Sequence, residues 1–249
     1  MDLGLSAFVA LATLLLAVAY GVRVAGVGRA RHARVEAEGQ SALVPRSAME
    51  MFYWSLTPIA AACARVGIGA NTITWMSLVL GALASVAIAT GHFGIGTTLA
   101  LLSAAGDALD GLVARHTKTD SHAGEVLDAT VDRYVELLLL AGVAIHVRES
   151  ALALVLTLGA IGGSFMVSYS TAKAEALGIT PPRGSMRRTE RAVLLIVGIG
   201  LVPLLGSFGM AQRWAEAPLL AALAAIAVFG NASAIARLIN VAKALRASR

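Results

Sequence analysis

Residues 107–132 read DALDGLVARHTKTDSHAGEVLDATVD and lie between long apolar runs of the chain. Four aspartates stand here in segments that are otherwise apolar enough to cross a membrane: Asp107, Asp110, Asp128 and Asp132. One carboxylate at the centre of a bilayer costs about 3 kcal/mol or more, so four of them in neighbouring segments require compensation. Spacings of three and four residues place each pair on one face of its helix. Because a short loop joins the two helices, we expect antiparallel neighbours whose carboxylates converge.

The composition of the 249-residue chain is typical of a membrane protein. Hydrophobic residues make up 57% and charged residues 14%, and the mean hydropathy is +0.76, whereas a soluble domain carries about 25% charged residues. This composition excludes a soluble cytosolic enzyme and a disordered chain, and a single cysteine, Cys63, excludes an internal disulfide framework. The net charge of +5 indicates orientation in a membrane rather than nucleic-acid binding. We therefore predict an all-α, polytopic membrane helix bundle.

Seven apolar runs approach the roughly 20 residues that a transmembrane helix needs: 5–22, 72–90, 95–113, 126–147, 151–172, 192–208 and 218–235. The arginines of the first run follow it, which favours a retained transmembrane helix over a cleaved signal peptide. Asn71 and Ser150 are candidate N-caps of the second and fifth runs. Residues 49–66 are expected to form either an amphipathic helix in the membrane interface or an ordinary surface helix that leads into the bundle.

The basic residues predict the orientation. If the segment after the first run faces the cytoplasm, all of the 20 Lys and Arg except Arg148 and Arg213 lie at cytoplasmic ends or in cytoplasmic loops. Such a bias is the usual signature of topology. We expect the N-terminus outside, the C-terminus in the cytoplasm and the aspartates near the cytoplasmic side.

Four converging carboxylates with no Cys or His among them suit hard divalent cations, Mg²⁺ or Mn²⁺. Two such cations would cancel the charge and create a site for diphosphate chemistry. Arg115 offers a bidentate phosphate contact, and Gly111 and Gly124 allow the close approach of a ligand. Pairing of the aspartates with Arg115 and Arg133 is the alternative, but two arginines cannot neutralise four carboxylates.

Residues 107–132 resemble the signature of a known family. Residues 107–132 match all eight fixed positions of D-x-x-D-G-x-x-A-R-x8-G-x3-D-x3-D, the signature of the CDP-alcohol phosphotransferases. The resemblance covers about residues 49–237 and implies a six-helix membrane core preceded by a juxtamembrane helix. Asn71 and Thr74 are similar to the Asn-x-x-Thr that opens this core, although Ala70 replaces the usual proline. The implied organisation is an extra transmembrane helix (residues 1–27), a cytoplasmic linker with an amphipathic juxtamembrane helix (28–70) and the family's membrane domain (71–249).

The resemblance implies transfer of a substituted phosphate from a CDP-linked donor to an alcohol, with release of CMP. Asp107, Asp110 and Asp128 would bind two divalent cations, and Asp132 would complete the cluster and act as general base. A homodimer is also implied. The residues carried over to the CDP pocket are Gly111, Ala114, Arg115, Gly124, Asn71 and Thr74.

The acceptor is indicated by residues 168–175 and 184–191, which resemble the members of the family that use inositol phosphate. Carried over, Lys173, Arg188 and Arg191 would bind the phosphate of the acceptor. The alternative is that these cations only belong to an ordinary basic cytoplasmic loop. Inositol phosphate and glycerol 3-phosphate stay open as acceptors.

Three functions follow from this pattern. The first is transfer of a phosphatidyl group from CDP-diacylglycerol to a phosphorylated polar alcohol in the inner membrane of a bacterium. The second uses CDP-choline or CDP-ethanolamine as donor and diacylglycerol as acceptor. The third is a divalent-cation transporter, which would not explain why Gly111, Ala114, Arg115 and Gly124 stand in register.

Overall fold

The computed structural model describes residues 2–38, 41, 43–179, 184 and 186–247, and all regular structure in them is helical. The all-α prediction is therefore confirmed. The chain divides into two compact units, Met1–Gly142 and Val143–Arg249. The helices of the described residues are α1 (Asp2–Val27), α2 (Ala33–Glu38), α3 (Arg46–Arg65), α4 (Ala70–Ala89), α5 (Phe93–Thr117), α6 (His122–His146), α7 (Ala151–Ala176), α8 (Arg188–Ser207), α9 (Gln212–Ala215) and α10 (Ala217–Ala247).

Six of these helices are long and apolar enough to cross a membrane: α1, α4, α5, α7, α8 and α10. The seventh predicted span, residues 126–147, falls on α6, which does not meet this criterion. It carries Asp128, Asp132, Arg133 and Glu136 within three turns, so length and composition identify six spans in the described residues and leave the seventh a prediction. The chain is an integral membrane protein.

Small residues pack α4 closely against α5 and α6 in the first unit. The Ser103 hydroxyl donates to the Ser77 carbonyl at 2.7 Å, and the Ser85 hydroxyl donates to the Leu138 carbonyl at 2.5 Å. A Cβ on Gly142 would collide with the Ser85 backbone. Close approach through Gly and Ser is the usual way in which helices associate in lipid, and here it holds α5 and α6 on the same neighbour.

The helix α3 packs on protein with its apolar face. Met49, Tyr53, Leu56 and Ala60 recur at helical spacing and are all buried. The first three share a cluster with Val35, against which residues of α5 also pack. These four residues of α3 are thus covered by protein, and the position of the helix relative to a membrane stays a prediction.

Hydrogen bonds at both ends of α1 attach it to the first unit. At its start, a carboxylate oxygen of Asp2 accepts from the Ile95 N–H at 3.4 Å. Near its end, the Tyr20 hydroxyl donates to Glu50 Oε2 at 3.1 Å and accepts from the Ala30 N–H at 3.3 Å. Glu50 is only 2% exposed and also accepts from Arg46 Nε at 3.0 Å. The extra helix is therefore part of the packing of this unit.

The second unit is built on α10, which packs along α7 and α8. Gly163 and Gly230 let α7 and α10 approach, since a Cβ on Gly230 would lie 3.4 Å from Gly163 Cα. The Asn231 amide donates to the Gly159 carbonyl at 2.9 Å across the same contact. Ser150 caps α7 as predicted, with its hydroxyl accepting from the Ala153 N–H.

The Tyr20→Phe substitution tests the attachment of α1. It removes the donor to buried Glu50 and the acceptor of the Ala30 N–H, so we expect a loss of about 1–2 kcal/mol of stability. In a chain of this size, that loss of stability corresponds to a fall of about 2–8 °C in the melting temperature of the detergent-solubilised protein. Tyr134→Phe is the matched control, because Tyr134 is 55% exposed. Equal melting temperatures for the two variants would contradict the structural role of the Tyr20 hydroxyl.

Candidate active site

Three carboxylates form a cluster between α5 and α6. Oxygen atoms of Asp107, Asp128 and Asp132 all lie within 4.8 Å of one another. Asp107 belongs to α5 and the other two to α6, and Asp132 is only 6% exposed. This anionic set of oxygen ligands is the type that Mg²⁺ and Mn²⁺ prefer.

A four-residue turn brings the two helices together. Lys118 ends α5 in the left-handed conformation (φ 55°), with its N–H bonded to the Ala114 carbonyl. Ser121 then begins α6, since its hydroxyl accepts from the Gly124 N–H at 3.1 Å. The turn reverses the chain within the signature itself, so the acid-bearing faces of α5 and α6 meet.

Asp110 lies outside this cluster of three. Its Oδ2 accepts a 2.6 Å hydrogen bond from the Thr74 hydroxyl of α4, and its side chain is 4% exposed. Three residues of an α-helix correspond to about 300° of rotation, so Asp107 and Asp110 point about 60° apart. Three of the four acids expected to converge therefore share one cluster, whereas Asp110 lies beside α4.

One arginine lies beside the cluster. Arg133 Nη1 lies 3.7 Å from Asp132 Oδ2 and donates to the Ala129 carbonyl at 3.3 Å. Arg115, the other arginine considered, is exposed and lines a cavity. A cluster of three carboxylates favours the binding of cations, and its set of oxygen donors fits divalent ones.

A cavity of about 630 Å³ lies at the ends of α4, α5 and α6 that carry the signature. Asp110 and Asp128 line it, so it reaches one acid of the cluster. The structure brings together around this cavity all six residues predicted for CDP: Asn71, Thr74, Gly111, Ala114, Arg115 and Gly124. Asn71 is the second residue of α4 rather than its N-cap, which is Gly69, and its side chain therefore belongs to the cavity wall.

Glycines leave room in the cavity wall. A Cβ on Gly111 would lie 3.3 Å from Arg115 Nη1. A Cβ on Gly124 would lie 3.2 Å from the Ser121 hydroxyl oxygen and 3.7 Å from the Asn71 amide oxygen. Larger side chains at these positions would take space from a ligand and crowd the polar groups around it.

Sequence reasoning missed Arg34, which also lines the cavity. Arg34 belongs to α2, in the linker before the family signature, and the sequence offers it only as one of the basic residues that predict orientation. A lone arginine in a polar linker gives no sequence signal for such a role, since only the packing of α2 places it there.

The residues predicted for the acceptor phosphate all lie in the second unit. Lys173 is exposed on α7, Arg188 is the first residue of α8 and half-buried, and Arg191 is 2% exposed and donates to the Met186 carbonyl at 3.2 Å. Ser185, inside the predicted acceptor stretch, lies outside the described residues.

The structure adds a fourth candidate to this set of cations. Arg237 of α10 is 8% exposed, donates to the Thr171 hydroxyl and lies against Gly184, where a Cβ would be 2.9 Å from Arg237 Nη2. Arg237 lies just beyond the last apolar run, where the sequence offers it only as one of the basic residues that predict orientation.

Comparison with known proteins agrees with the signature. The CDP-alcohol phosphatidyltransferase family matches residues 68–240. The chain belongs to this family. It is therefore a transferase of phospholipid biosynthesis, and the divalent cations expected from the acids are those that the family uses.

Two curated relatives illustrate the match. The phosphatidylinositol phosphate synthase of Mycobacteroides abscessus is 33% identical over 208 residues, which are 80% of this chain and 86% of that protein. The bifunctional IPC transferase and DIPP synthase of Rubrobacter xylanophilus is 34% identical over 174 residues, 68% of this chain but only 36% of that longer protein.

Solved structures of Mycobacterium tuberculosis phosphatidylinositol phosphate synthase share the fold of this family member. The complex with manganese and citrate has a TM-score of 0.68 and 25% identity, and covers 75% of this chain and 88% of that one. The structure with CDP-DAG bound has a TM-score of 0.64 and 28% identity, and covers 75% of this chain and 92% of that one.

We predict that Asp107→Asn weakens Mn²⁺ binding at least about tenfold, because it removes one charged ligand from the cluster. Isothermal titration calorimetry of the detergent-solubilised protein without nucleotide measures this affinity. Asp120→Asn is the matched control, since Asp120 lines the cavity but lies outside the cluster. Wild-type Mn²⁺ affinity in Asp107→Asn would show that the cluster is not the metal site.

Proposed function

We propose that the chain transfers the phosphatidyl group of CDP-diacylglycerol to a phosphorylated polar alcohol, inositol phosphate in the first place, and releases CMP. The observation that carries the proposal is the position of Asp128. It belongs both to the carboxylate cluster and to the wall of the cavity that holds the six predicted CDP residues. A nucleotide in this cavity would therefore present its diphosphate to the cluster.

The chain's own residues divide the work of binding the donor. Gly111 and Ala114 leave room along α5, and the Arg115 guanidinium pairs with phosphate oxygens. Thr74 orients Asp110 through their 2.6 Å hydrogen bond. Divalent cations, when bound, neutralise the acids and stabilise negative charge on the phosphoryl oxygens.

Asp132 acts as general base in this proposal. The hydroxyl oxygen of the acceptor attacks the phosphorus that carries diacylglycerol, the bond from that phosphorus to the bridging oxygen breaks, and CMP leaves with the bond electrons. Asp132 takes the hydroxyl proton. Its burial and its place in the cluster support this role, since a general base must lie beside the reacting groups.

The acceptor phosphate is bound in this proposal by Lys173, Arg188 and Arg191, with Arg237 added by the structure. Arg191 and Arg237 are both buried and donate to nearby oxygen acceptors, so they give the second unit preorganised positive charge. A phosphorylated acceptor would use such cations, whereas a neutral amino alcohol would not need them. The relatives that are phosphatidylinositol phosphate synthases support inositol phosphate as this acceptor.

We further propose that the chain lies in the inner membrane of a bacterium as a homodimer, with the carboxylate cluster and the C-terminus facing the cytoplasm. The distribution of basic residues supports the orientation, and the cytoplasm supplies soluble phosphorylated alcohols. The dimer rests on the family resemblance.

Asp132→Asn should abolish CMP release, a loss of about 10²–10⁴-fold or more, because the amide neither accepts the proton nor carries the charge of the cluster. CMP release from CDP-diacylglycerol with acceptor is the measurement, with the melting temperature as a check on folding. Glu149→Gln is the control, since Glu149 is an exposed acid that pairs only loosely with Arg148 at 3.7 Å. Turnover by Asp132→Asn at the wild-type rate would sink the assignment.

The acceptor is tested by offering radiolabelled CDP-diacylglycerol with inositol 1-phosphate, inositol, glycerol 3-phosphate or serine in Mn²⁺ or Mg²⁺. We expect lipid product from inositol 1-phosphate. In Lys173→Gln and Arg188→Gln the KM for this acceptor should rise about tenfold, with the KM for the donor unchanged.

Arg148→Gln is the control for these variants, because Arg148 is an exposed arginine of the same unit outside the predicted set. Lipid product from none of the acceptors would count against the function. Product from inositol or serine alone would count against a phosphate-binding acceptor site.

A further inference from the structure

We infer that Arg34, supplied by the linker that precedes the family domain, binds the diphosphate of the CDP-linked donor together with Arg115. The inference rests on the proposed function and adds to it a donor-binding residue. Arg34 stands well before residues 68–240, the part of the chain that the family matches. It would give the N-terminal segment of this chain a role in the site.

Two guanidinium groups lie over one glycine in the cavity. A Cβ on Gly111 would be 3.3 Å from Arg115 Nη1 and 3.5 Å from Arg34 Nη1, and both arginines line the cavity. An anion placed between two guanidinium groups interacts favourably with both. Arginine forks match phosphate oxygens in a bidentate manner, so a diphosphate suits a pair of them.

The linker is held in place by contacts on both sides of Arg34. The next residue, Val35, is 1% exposed and packs in the cluster with Met49, Tyr53 and Leu56 of α3. His32, two residues earlier, lies with its ring 5.9 Å from that of Tyr53, and burial lowers the pKa of His32 below its usual value, so it is neutral at pH 7.

Charged groups complete the attachment of this segment. Glu36 lies 3.9 Å from Arg46, and Arg46 donates to the buried Glu50. Glu50 in turn accepts from Tyr20 of α1. The extra transmembrane helix thereby supports the short helix that carries Arg34. Val35 packs into the core, and the neighbouring Arg34 lines the cavity.

A rival role for Arg34 is to neutralise the acids alone. Its charge acts on the Asp110 carboxylate, which also lines the cavity. In that role Arg34 would change the affinity for divalent cations and leave nucleotide binding unaffected at saturating metal. The two roles therefore separate when metal and nucleotide are titrated independently.

The experiment measures binding of CDP, without its lipid, to the full chain in detergent at saturating Mn²⁺, and binding of Mn²⁺ without nucleotide. Arg34→Gln should weaken CDP binding about tenfold, the expected loss for a charge-assisted phosphate contact. Arg34→Lys, which keeps the charge but loses the fork, should weaken it about threefold. Arg31→Gln should bind CDP as the wild type does, because Arg31 is an exposed arginine of the same linker outside the cavity lining.

Three results would overturn the inference: wild-type CDP affinity in Arg34→Gln, an equal loss in Arg31→Gln, or an equal loss of Mn²⁺ affinity in Arg34→Gln. If Arg34→Gln does not fold, wild-type CDP affinity in Arg34→Lys overturns it. If the wild-type chain itself fails to bind CDP with Mn²⁺, the proposed function fails and the inference falls with it. If the wild type binds CDP and only the Arg34 variants lose affinity for it, both the proposed function and the inference are supported.

Discussion

The mutual repulsion of three closely spaced carboxylates, one buried and two half-buried, is the constraint on which the first unit depends. Asp107, Asp128 and Asp132 hold oxygen atoms within 4.8 Å of one another between helices of an apolar chain. Helices that carry such a cluster would separate unless other contacts held them. The Ser103–Ser77 and Ser85–Leu138 hydrogen bonds tie α5 and α6 to α4 at close range. The packing of small residues thus opposes the electrostatic repulsion among the carboxylates, and divalent cations neutralise the carboxylate charge.

The same unit buries a further carboxylate and compensates it in another way. Glu50 is 2% exposed, and its two oxygens accept hydrogen bonds from the Tyr20 hydroxyl and the Arg46 guanidinium. A single acid with a cation and a donor is compensated without a metal, whereas three acids whose oxygens lie within 4.8 Å of one another suit divalent cations. Compensation by hydrogen bonds serves here to attach α1 and the linker. Compensation of the carboxylate cluster by divalent cations would instead serve the transfer reaction.

The catalytic signature and the N-terminal segment meet at one cavity. Residues of α4 and signature residues of α5 and α6 form its wall, and Arg34 reaches it from outside the family domain. The region that the sequence leaves without a role therefore becomes part of the donor site in our interpretation. A segment outside the shared domain is a place where donor binding can differ among members of the family.

The sequence by itself determined the class of fold and the main part of the site. Low charge and long apolar runs specify membrane helices, and the 107–132 signature gathers its acids and glycines because helical periodicity and a four-residue turn are local properties. Its own charges also explain why α6 does not meet the criterion for a span. Only the tertiary structure decided that Asp110 pairs with Thr74, 36 residues away, that Arg237 reaches Thr171, 66 residues away, and that Arg34 lies over Gly111. Such contacts depend on which helix faces pack together, and no spacing along the chain encodes that choice.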